Sequence, residues 1–85
     1  MNLARLLERL SRGGVDNVAF PDLVRLAEAF GFERRRTSGS HHIYGHPRLV
    51  ERVNLQDFRG QAKPYQVRQV IRLIERYDLT MESET

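Results

Sequence analysis

The sequence contains no cysteine and no long apolar run, and each absence excludes a class of protein. Without cysteine, the chain can form no disulfide, no thiolate metal site and no cysteine nucleophile, which fits a reducing compartment. The apolar runs fall far short of the roughly 18 residues that a transmembrane helix needs. The N-terminal stretch MNLARLLERL carries arginine and glutamate within its apolar pattern, which argues against a signal peptide. We therefore expect a cytoplasmic protein with no membrane span.

The length limits both the number of domains and the kind of site. The chain has 85 residues, enough for one compact domain, so we treat residues 1–85 as a single unit. A domain of this size buries only a modest core. We therefore expect any chemistry to take place on an exposed face rather than in a deep cavity.

Positive charge is concentrated in one part of the chain. The net charge is +3, but residues 34–76 hold ten basic and three acidic residues, a local charge of +7. Thirteen of the fourteen basic residues are arginine, whose planar guanidinium suits phosphate and stacks on bases. Genomic composition or salt bridges would also explain the preference for arginine. The local charge makes nucleic acid the leading partner.

Hydrophobic periodicity predicts three helices and three strands. Leucines at positions 3, 6, 7 and 10 indicate an amphipathic helix, and Pro21 and Gly31 suit the start and end of a second one. The predicted helices cover residues 2–11, 20–30 and 64–77, the strands 32–37, 40–46 and 49–55, and a loop 56–63. The fold class is thus α+β, a three-stranded antiparallel sheet with helices on one face and the other face open.

The alternation of side chains along the strands assigns residues to the two faces. We take Ser38-Gly39 as a two-residue turn, so that Arg35 lies opposite His42. Phe32 and Ile43 then mark the core side. The residues predicted on the open face are Arg35, His42, Tyr44, Arg52 and Asn54, and those on the core side or its rim include Arg34, Arg36, His41, Val53 and Leu55.

The three histidines do not form a convincing metal site. His42 and His46 are separated by roughly 13 Å of extended strand, whereas zinc ligands lie about 2.0–2.1 Å from the ion. His41 and His42 point to opposite faces. We therefore expect no metal and no cofactor, and we interpret His46, which precedes Pro47, as a structural residue of a turn.

Acid–base chemistry on RNA is a second interpretation of His42. Histidine titrates near neutral pH, so it can take a proton from a ribose 2′-hydroxyl or give one to a leaving oxygen. An arginine alongside can stabilise the charge that develops on the phosphate. Such a reaction requires no metal, because the 2′-hydroxyl is the nucleophile. An ordinary strand histidine remains the alternative interpretation.

Two stretches of the sequence resemble the HicA family of bacterial toxin–antitoxin systems. These are GFERRRTSGSHHIYGHP and VNLQDFRGQAKPYQVRQVIRLIERYDL, and the resemblance covers residues 20–79. It leaves residues 1–19 as an additional helix and loop and residues 80–85 as an acidic tail. The resemblance implies an α-β-β-β-α fold similar to the double-stranded-RNA-binding domain. It also implies a ribosome-independent endoribonuclease that cleaves mRNA and is covered by a HicB-type antitoxin.

Carried onto this sequence, the GSxH motif of the family matches Gly39, Ser40 and His42. The resemblance thus implies a turn at Gly39 and a catalytic His42, the histidine that the alternation also places on the open face. Around it we predict phosphate contacts from Arg35 and Arg52, a stacking surface at Tyr44, and a turn or phosphate contact at Ser40.

The last helix adds candidate RNA contacts. Lys63 precedes its first turn, where free N–H groups attract phosphate, and Arg68 and Arg72 lie on one helical face. Two alternatives remain open at this point: a non-catalytic RNA-binding module of the same fold, and an interaction domain whose basic face receives an acidic protein.

Overall fold

The described part of the chain contains three helices and a four-stranded antiparallel sheet. The structure is a computed structural model and describes residues 2–81. The sheet order is β1-β2-β3-β4, with the helices on one side. The elements are α1 (Leu3–Ser11), α2 (Phe20–Ala29), β1 (Glu33–Ser38), β2 (His41–Gly45), β3 (Arg52–Phe58), β4 (Gln61–Ala62) and α3 (Pro64–Arg76).

The first two helices begin and end where the sequence predicts. The Asn2 side chain caps α1 by accepting hydrogen bonds from the N–H groups of Ala4 at 2.9 Å and Arg5 at 3.2 Å. Gly31, with φ of +97°, ends α2 in the left-handed conformation that glycine adopts without strain. The Phe32 N–H then turns back onto the Ala27 carbonyl, so the chain leaves α2 directly into β1.

α1 completes the hydrophobic core. Its Leu6 and Leu10 are only 1% and 2% exposed, and the helix packs against α2 and α3. The core between helices and sheet is filled mainly by Leu23, Leu26, Val53, Leu55, Val67 and Val70. Helix α1 is therefore part of the structural unit, not an appendage to it.

The helix α3 is joined to β3 by a buried glutamine. Strand β4 pairs only with Asp57 and Phe58, so the Gln56 N–H has no strand partner on that edge. Gln66, 2% exposed, accepts a hydrogen bond from that N–H at 2.7 Å. Burying this amide side chain is tolerated because it satisfies a backbone donor that would otherwise be unpaired.

The prediction of a loop at residues 56–63 is wrong, because residues 56–62 belong to the β3–β4 hairpin. Arg59 and Gly60 make its two-residue turn, and both have positive φ, +53° and +85°. Two positive φ values are typical of a type I′ turn, whose twist matches that of the flanking strands. Strand β4 was not predicted because arginine is an unusual residue at the first position of such a turn.

The predicted β1–β2 turn is displaced by one residue. The turn is Gly39-Ser40, and Thr37 lies opposite His42, where Arg35 was predicted. The physical reason is that Gly39 has φ of +59°. In a two-residue hairpin the first central residue takes positive φ, so glycine stands first in the turn. Moving a two-residue turn by one position shifts the strand pairing by two residues, so it changes the partner of each residue but not the face of its side chain.

A β-bulge at Arg35 adds a second change to the register. Arg34 lies opposite Tyr44 and Arg36 opposite Ile43, so Arg35 is the additional residue. The bulge places Phe32 on the same side of the sheet as Tyr44, the helix side, where Phe32 is 2% exposed. Arg35 crosses to the open side, where its side chain covers Gly45: a Cβ there would lie 3.3 Å from Arg35 Nε.

The bulge corrects the predicted faces of strand β2, which had been assigned from the core position of Phe32 through a regular β1. His42 and Tyr44 lie opposite Leu55 and Val53, on the helix side, and their predicted placement on the open face is wrong. His41 and Ile43, predicted on the core side, lie on the open face instead, and so does Arg36. The open-face placements of Arg35, Arg52 and Asn54 are confirmed.

The fold class is confirmed as α+β, and α2-β1-β2-β3-α3 follows the expected α-β-β-β-α order with β4 added. Beyond α3, Leu79 is buried, and Met81, within the predicted acidic tail at residues 80–85, packs against the core. Residues 82–85 of that tail lie outside the described part of the chain.

Candidate functional site

His42 is held between α2 and β1 on the helix side of the sheet. Its ring lies 5.2 Å from the ring of Phe20, the first residue of α2, at an interplanar angle of 39°. Its Nδ1 atom lies 3.4 Å from the Thr37 hydroxyl, a long hydrogen bond. Within residues 2–81 no hydrogen-bond partner contacts Nε2. The side chain is half-buried, so one nitrogen is oriented by the protein while the other can meet a substrate.

Two turns converge on this histidine. The Phe20 N–H donates to the Gly60 carbonyl at 2.8 Å, which fixes the β3–β4 turn against the start of α2. The Asp57 N–H donates to the Ser40 carbonyl at 3.0 Å, which fixes the β1–β2 turn beside β3. The turn residues Gly39 and Ser40 of the predicted motif are both exposed. We call the surface formed by His42, Phe20, Ser40 and the Arg59-Gly60 turn the histidine corner.

The open face of the sheet carries a separate basic cluster around His41. Arg35, Arg36, Arg52, His41 and Asn54 line a shallow cavity of about 460 Å³. His41 Nδ1 lies 3.2 Å from the Asn54 side-chain oxygen, and Arg35 pairs with Glu33 at 3.3 Å. Arg35 and Arg52 are therefore on the opposite face of the sheet from His42. The prediction that they assist His42 at one phosphate is wrong.

Tyr44 is a core residue and not a stacking surface. It is 3% exposed, and burial, with a smaller contribution from Glu28, raises its pKa above the ordinary value. A base cannot stack on a ring that the helices cover, so the predicted RNA contact of Tyr44 is wrong.

His46 has the structural role that its position before Pro47 predicts. It is 3% exposed and its Nε2 atom lies 3.0 Å from the Phe30 carbonyl oxygen. Its Nδ1 atom accepts from the Arg48 N–H at 3.1 Å, which assigns the ring proton to Nε2. The ring also packs edge-on against Phe32. With both nitrogens engaged, His46 joins the end of α2 to the turn after β2.

The remaining predicted RNA contacts lie on α3, at two separate places. Lys63 is the N-cap residue of the helix, and its ammonium lies 5.3 Å from the Phe58 ring centroid. Arg68 and Arg72 are exposed and lie beside the end of α1 and the loop after it, next to Leu10 and Gly13. Lys63 is thus close to the β3–β4 hairpin, whereas Arg68 and Arg72 belong to a different surface.

Sequence reasoning missed Thr37, Phe20 and Phe58. Thr37 would have been found by placing Gly39 first in the turn, since that register sets it opposite His42. Phe20 was assigned to the start of α2, but no pattern along the chain relates it to a histidine 22 positions later. Phe58 was placed in a loop, yet it is a strand residue with half of its surface exposed.

A hydrogen bond joins the beginning of β3 to the end of α3. The Tyr77 hydroxyl donates to the Glu51 carboxylate. This bond lowers the pKa of Glu51 below its ordinary value and, together with burial, raises the pKa of Tyr77. The other carboxylate oxygen of Glu51 is buried with no partner within residues 2–81, so the pair depends on this single bond.

The described residues contain neither a metal-ligating cluster nor a membrane-spanning helix. Within residues 2–81 no group of three or more histidine, aspartate or glutamate side chains is arranged to hold a metal ion. In the same part of the chain, no helix has the length and hydrophobicity to cross a membrane.

The fold and the histidine corner define a small α+β protein of the double-stranded-RNA-binding-domain type, with a histidine beside the start of a helix. A family model described as the HicA toxin of bacterial toxin–antitoxin systems matches residues 20–75. The chain therefore belongs to the HicA toxin family. No curated protein and no solved structure gives a significant match.

Proposed function

We propose that this chain is the toxin of a toxin–antitoxin pair and acts as a metal-independent endoribonuclease on mRNA in the cytoplasm, with His42 as its catalytic residue. The family match supports the toxin role, because it spans residues 20–75 and includes the GSxH motif. The geometry of His42 is the observation that carries the chemistry. It combines an oriented Nδ1 with an Nε2 that no other described residue engages.

The proposed reaction is an attack of the ribose 2′-hydroxyl oxygen on the adjacent phosphorus. His42 Nε2 takes the hydroxyl proton while the bond to the 5′-oxygen of the next nucleotide breaks. The products are a 2′,3′-cyclic phosphate and a 5′-hydroxyl, the departing oxygen taking a proton from His42 or from water. When His42 acts as the base, its Nδ1 carries the ring proton and donates to the Thr37 hydroxyl.

RNA contacts near the reacting phosphate come, in this proposal, from the histidine corner and the adjoining hairpin. Ser40 is exposed beside His42, and Lys63 lies at the start of α3. Arg35 and Arg52 would contact the RNA backbone farther along, since they lie on the other face of the sheet. Arg68 and Arg72 would contact either RNA or a HicB-type antitoxin.

Induced expression in cells tests this proposal. Wild-type chain is expected to arrest growth while mRNA is cleaved, and His42→Ala is expected to abolish both at equal protein levels. Co-expression of the neighbouring antitoxin gene is expected to restore growth. Growth arrest by His42→Ala with intact mRNA would contradict the proposed catalysis.

A non-catalytic RNA-binding module is the second candidate. The observation that favours it is the separation of Arg35 and Arg52 from His42, which removes the phosphate-binding partners predicted for catalysis. It predicts RNA binding that weakens steeply with salt, without any cleavage and without dependence on His42.

A further inference from the structure

The β3–β4 hairpin presents an exposed aromatic ring with two cations beside it. Phe58 is 50% exposed. The Arg59 guanidinium carbon lies 5.5 Å from its ring centroid and the Lys63 ammonium 5.3 Å, both within cation–π range. Isolated exposed phenylalanines are common on protein surfaces. An exposed ring with two phosphate-binding side chains is the combination that single-stranded RNA sites use.

The turn that carries Arg59 is strained for its residue type. Arg59 has φ of +53° at the first position of the turn, where asparagine or aspartate is strongly preferred before glycine. Arginine is therefore held there at an energetic cost. Such strain clusters at functional sites, and here it positions a guanidinium over the Phe58 ring.

A cavity of about 480 Å³ adjoins the Phe58 ring. Its lining includes Asp16 and Asn17 from the loop before α2, and Gln61 and Lys63 from the other side. Asp16, Asn17 and Gln61 supply oxygen acceptors, and the Asp16 carboxylate is the one among them that only accepts. A purine or pyrimidine with an exocyclic amino group has the matching donors, whereas uracil has no amino group to offer.

The turn beside the cavity is joined to the helix start that packs on His42. Gly60, next to Arg59, accepts the Phe20 N–H at 2.8 Å, and the Phe20 ring lies 5.2 Å from the His42 ring. Ala19 and Gln61 also form an isolated bridge. The hairpin that carries Phe58 and the helix start that contacts His42 are therefore held in a fixed relation.

We propose that Phe58, Arg59, Lys63 and the adjoining cavity form a nucleobase subsite, which takes an unpaired amino-bearing base of the RNA. This inference rests on the proposed RNA function. The base stacks on Phe58, its amino group donates to Asp16, and the Arg59 or Lys63 cation moves from the ring to a neighbouring phosphate.

A double-mutant cycle of RNA-binding affinities, which pairs a protein variant with an abasic RNA, tests the subsite without relying on cleavage. The probe is a set of short single-stranded RNAs with 2′-O-methyl groups throughout, which removes the nucleophile, and with one abasic site at each position in turn. Wild type is expected to lose about tenfold or more in affinity at one position. Phe58→Leu is expected to bind intact RNA more weakly by a similar factor and to show no further loss with that abasic RNA.

Two further arms test the remaining parts. At the position so located, cytosine is expected to bind more tightly than uracil, and Asp16→Asn is expected to reduce that difference. Arg59→Asn is expected to raise Tm by several degrees, because asparagine suits the turn, while weakening RNA binding severalfold. Arg5→Gln, on the outer face of α1, is the charge-matched control and should leave both nearly unchanged.

The outcomes separate this inference from the proposed function. Equal sensitivity of wild type and Phe58→Leu to every abasic site would overturn the subsite, even if His42-dependent cleavage is observed. Equal binding of cytosine and uracil would overturn the assigned base class. If wild type does not cleave RNA but the affinities of wild type and Phe58→Leu follow the expected pattern, the proposed catalysis is contradicted and the subsite stands.

Discussion

At the scale of single residues, the proposed chemistry depends most on the contact between Thr37 and His42. Within residues 2–81, the Thr37 hydroxyl is the only side-chain group that hydrogen-bonds the His42 imidazole, at 3.4 Å from Nδ1. We expect Thr37→Val to lower the RNA cleavage rate severalfold, because the ring loses the hydrogen bond that orients it. Thr37→Ser keeps the hydroxyl and should retain most of the rate. Single-turnover cleavage, with Tm as a check on folding, measures both; equal rates for the two variants would contradict a positioning role.

Gly39 provides a second prediction at this scale. Its φ of +59° strains any residue with a Cβ, although a Cβ there would meet no atom within 4 Å. We therefore expect Gly39→Ala to lower the free energy of unfolding by about 1–2 kcal/mol, measured by urea denaturation. Ser40→Ala, in the same turn, is the control and should change it far less. A Gly39→Ala protein of unchanged stability would show that the turn has another conformation.

Single residues also show what the sequence could and could not predict. His46 was correctly interpreted as structural, because its position before Pro47 indicates a turn. Tyr44 was placed on the wrong face because the alternation was counted from Phe32 through β1 without the bulge at Arg35. Placing Gly39 first in the turn changes the partner of Tyr44 but not its face, and nothing in the sequence of β1 marks the position of the bulge.

At the scale of secondary-structure elements, α1 is the clearest case of a contribution that the sequence left open. Its apolar spacing predicted a helix, and the structure shows that Leu6 and Leu10 fill the space between α2 and α3. We expect Leu6→Ala to cost about 2–5 kcal/mol of stability, measured by urea denaturation. Leu7→Ala, half-exposed on the same helix, is the control with a smaller expected loss. Comparable small losses for both would contradict the packing role of α1.

The bond between β3 and α3 makes stability depend on pH. Tyr77 lowers the pKa of Glu51, so the contribution of this carboxylate is present above its unfolded pKa of about 4.3. It is lost as pH falls through the lower folded value. The pKa of Tyr77 is raised, so its contribution is present below about pH 10 and is lost as pH rises through the folded value.

Tyr77→Phe tests this account through the shape of the stability curve. The variant is expected to be less stable at neutral pH, because the Glu51 carboxylate loses its donor. Its stability should also fall less steeply below pH 4.3 and above pH 10. Thermal denaturation across that range measures both effects. A curve parallel to that of wild type would show that the pair does not contribute.

At the scale of the whole molecule, the two faces of the sheet separate two sets of basic and histidine side chains. The helix side holds His42 with the histidine corner, and the open side holds His41 with Arg35, Arg36 and Arg52. The fold class and the order of all elements except β4 followed from hydrophobic periodicity, since a domain this small has few ways to bury three amphipathic helices. The faces of β2 did not follow, because the single bulge at Arg35 inverts them.

His41 and His42 make the separation of the faces directly testable, because they are neighbours in one strand with side chains on opposite sides. The purified protein is incubated with single-stranded RNA in EDTA, as wild type, His41→Ala and His42→Ala. The account predicts cleavage by wild type and by His41→Ala at a similar rate, and loss of cleavage in folded His42→Ala by a factor of about 100 or more. Cleavage that survives His42→Ala, or that is lost with His41→Ala instead, would contradict it.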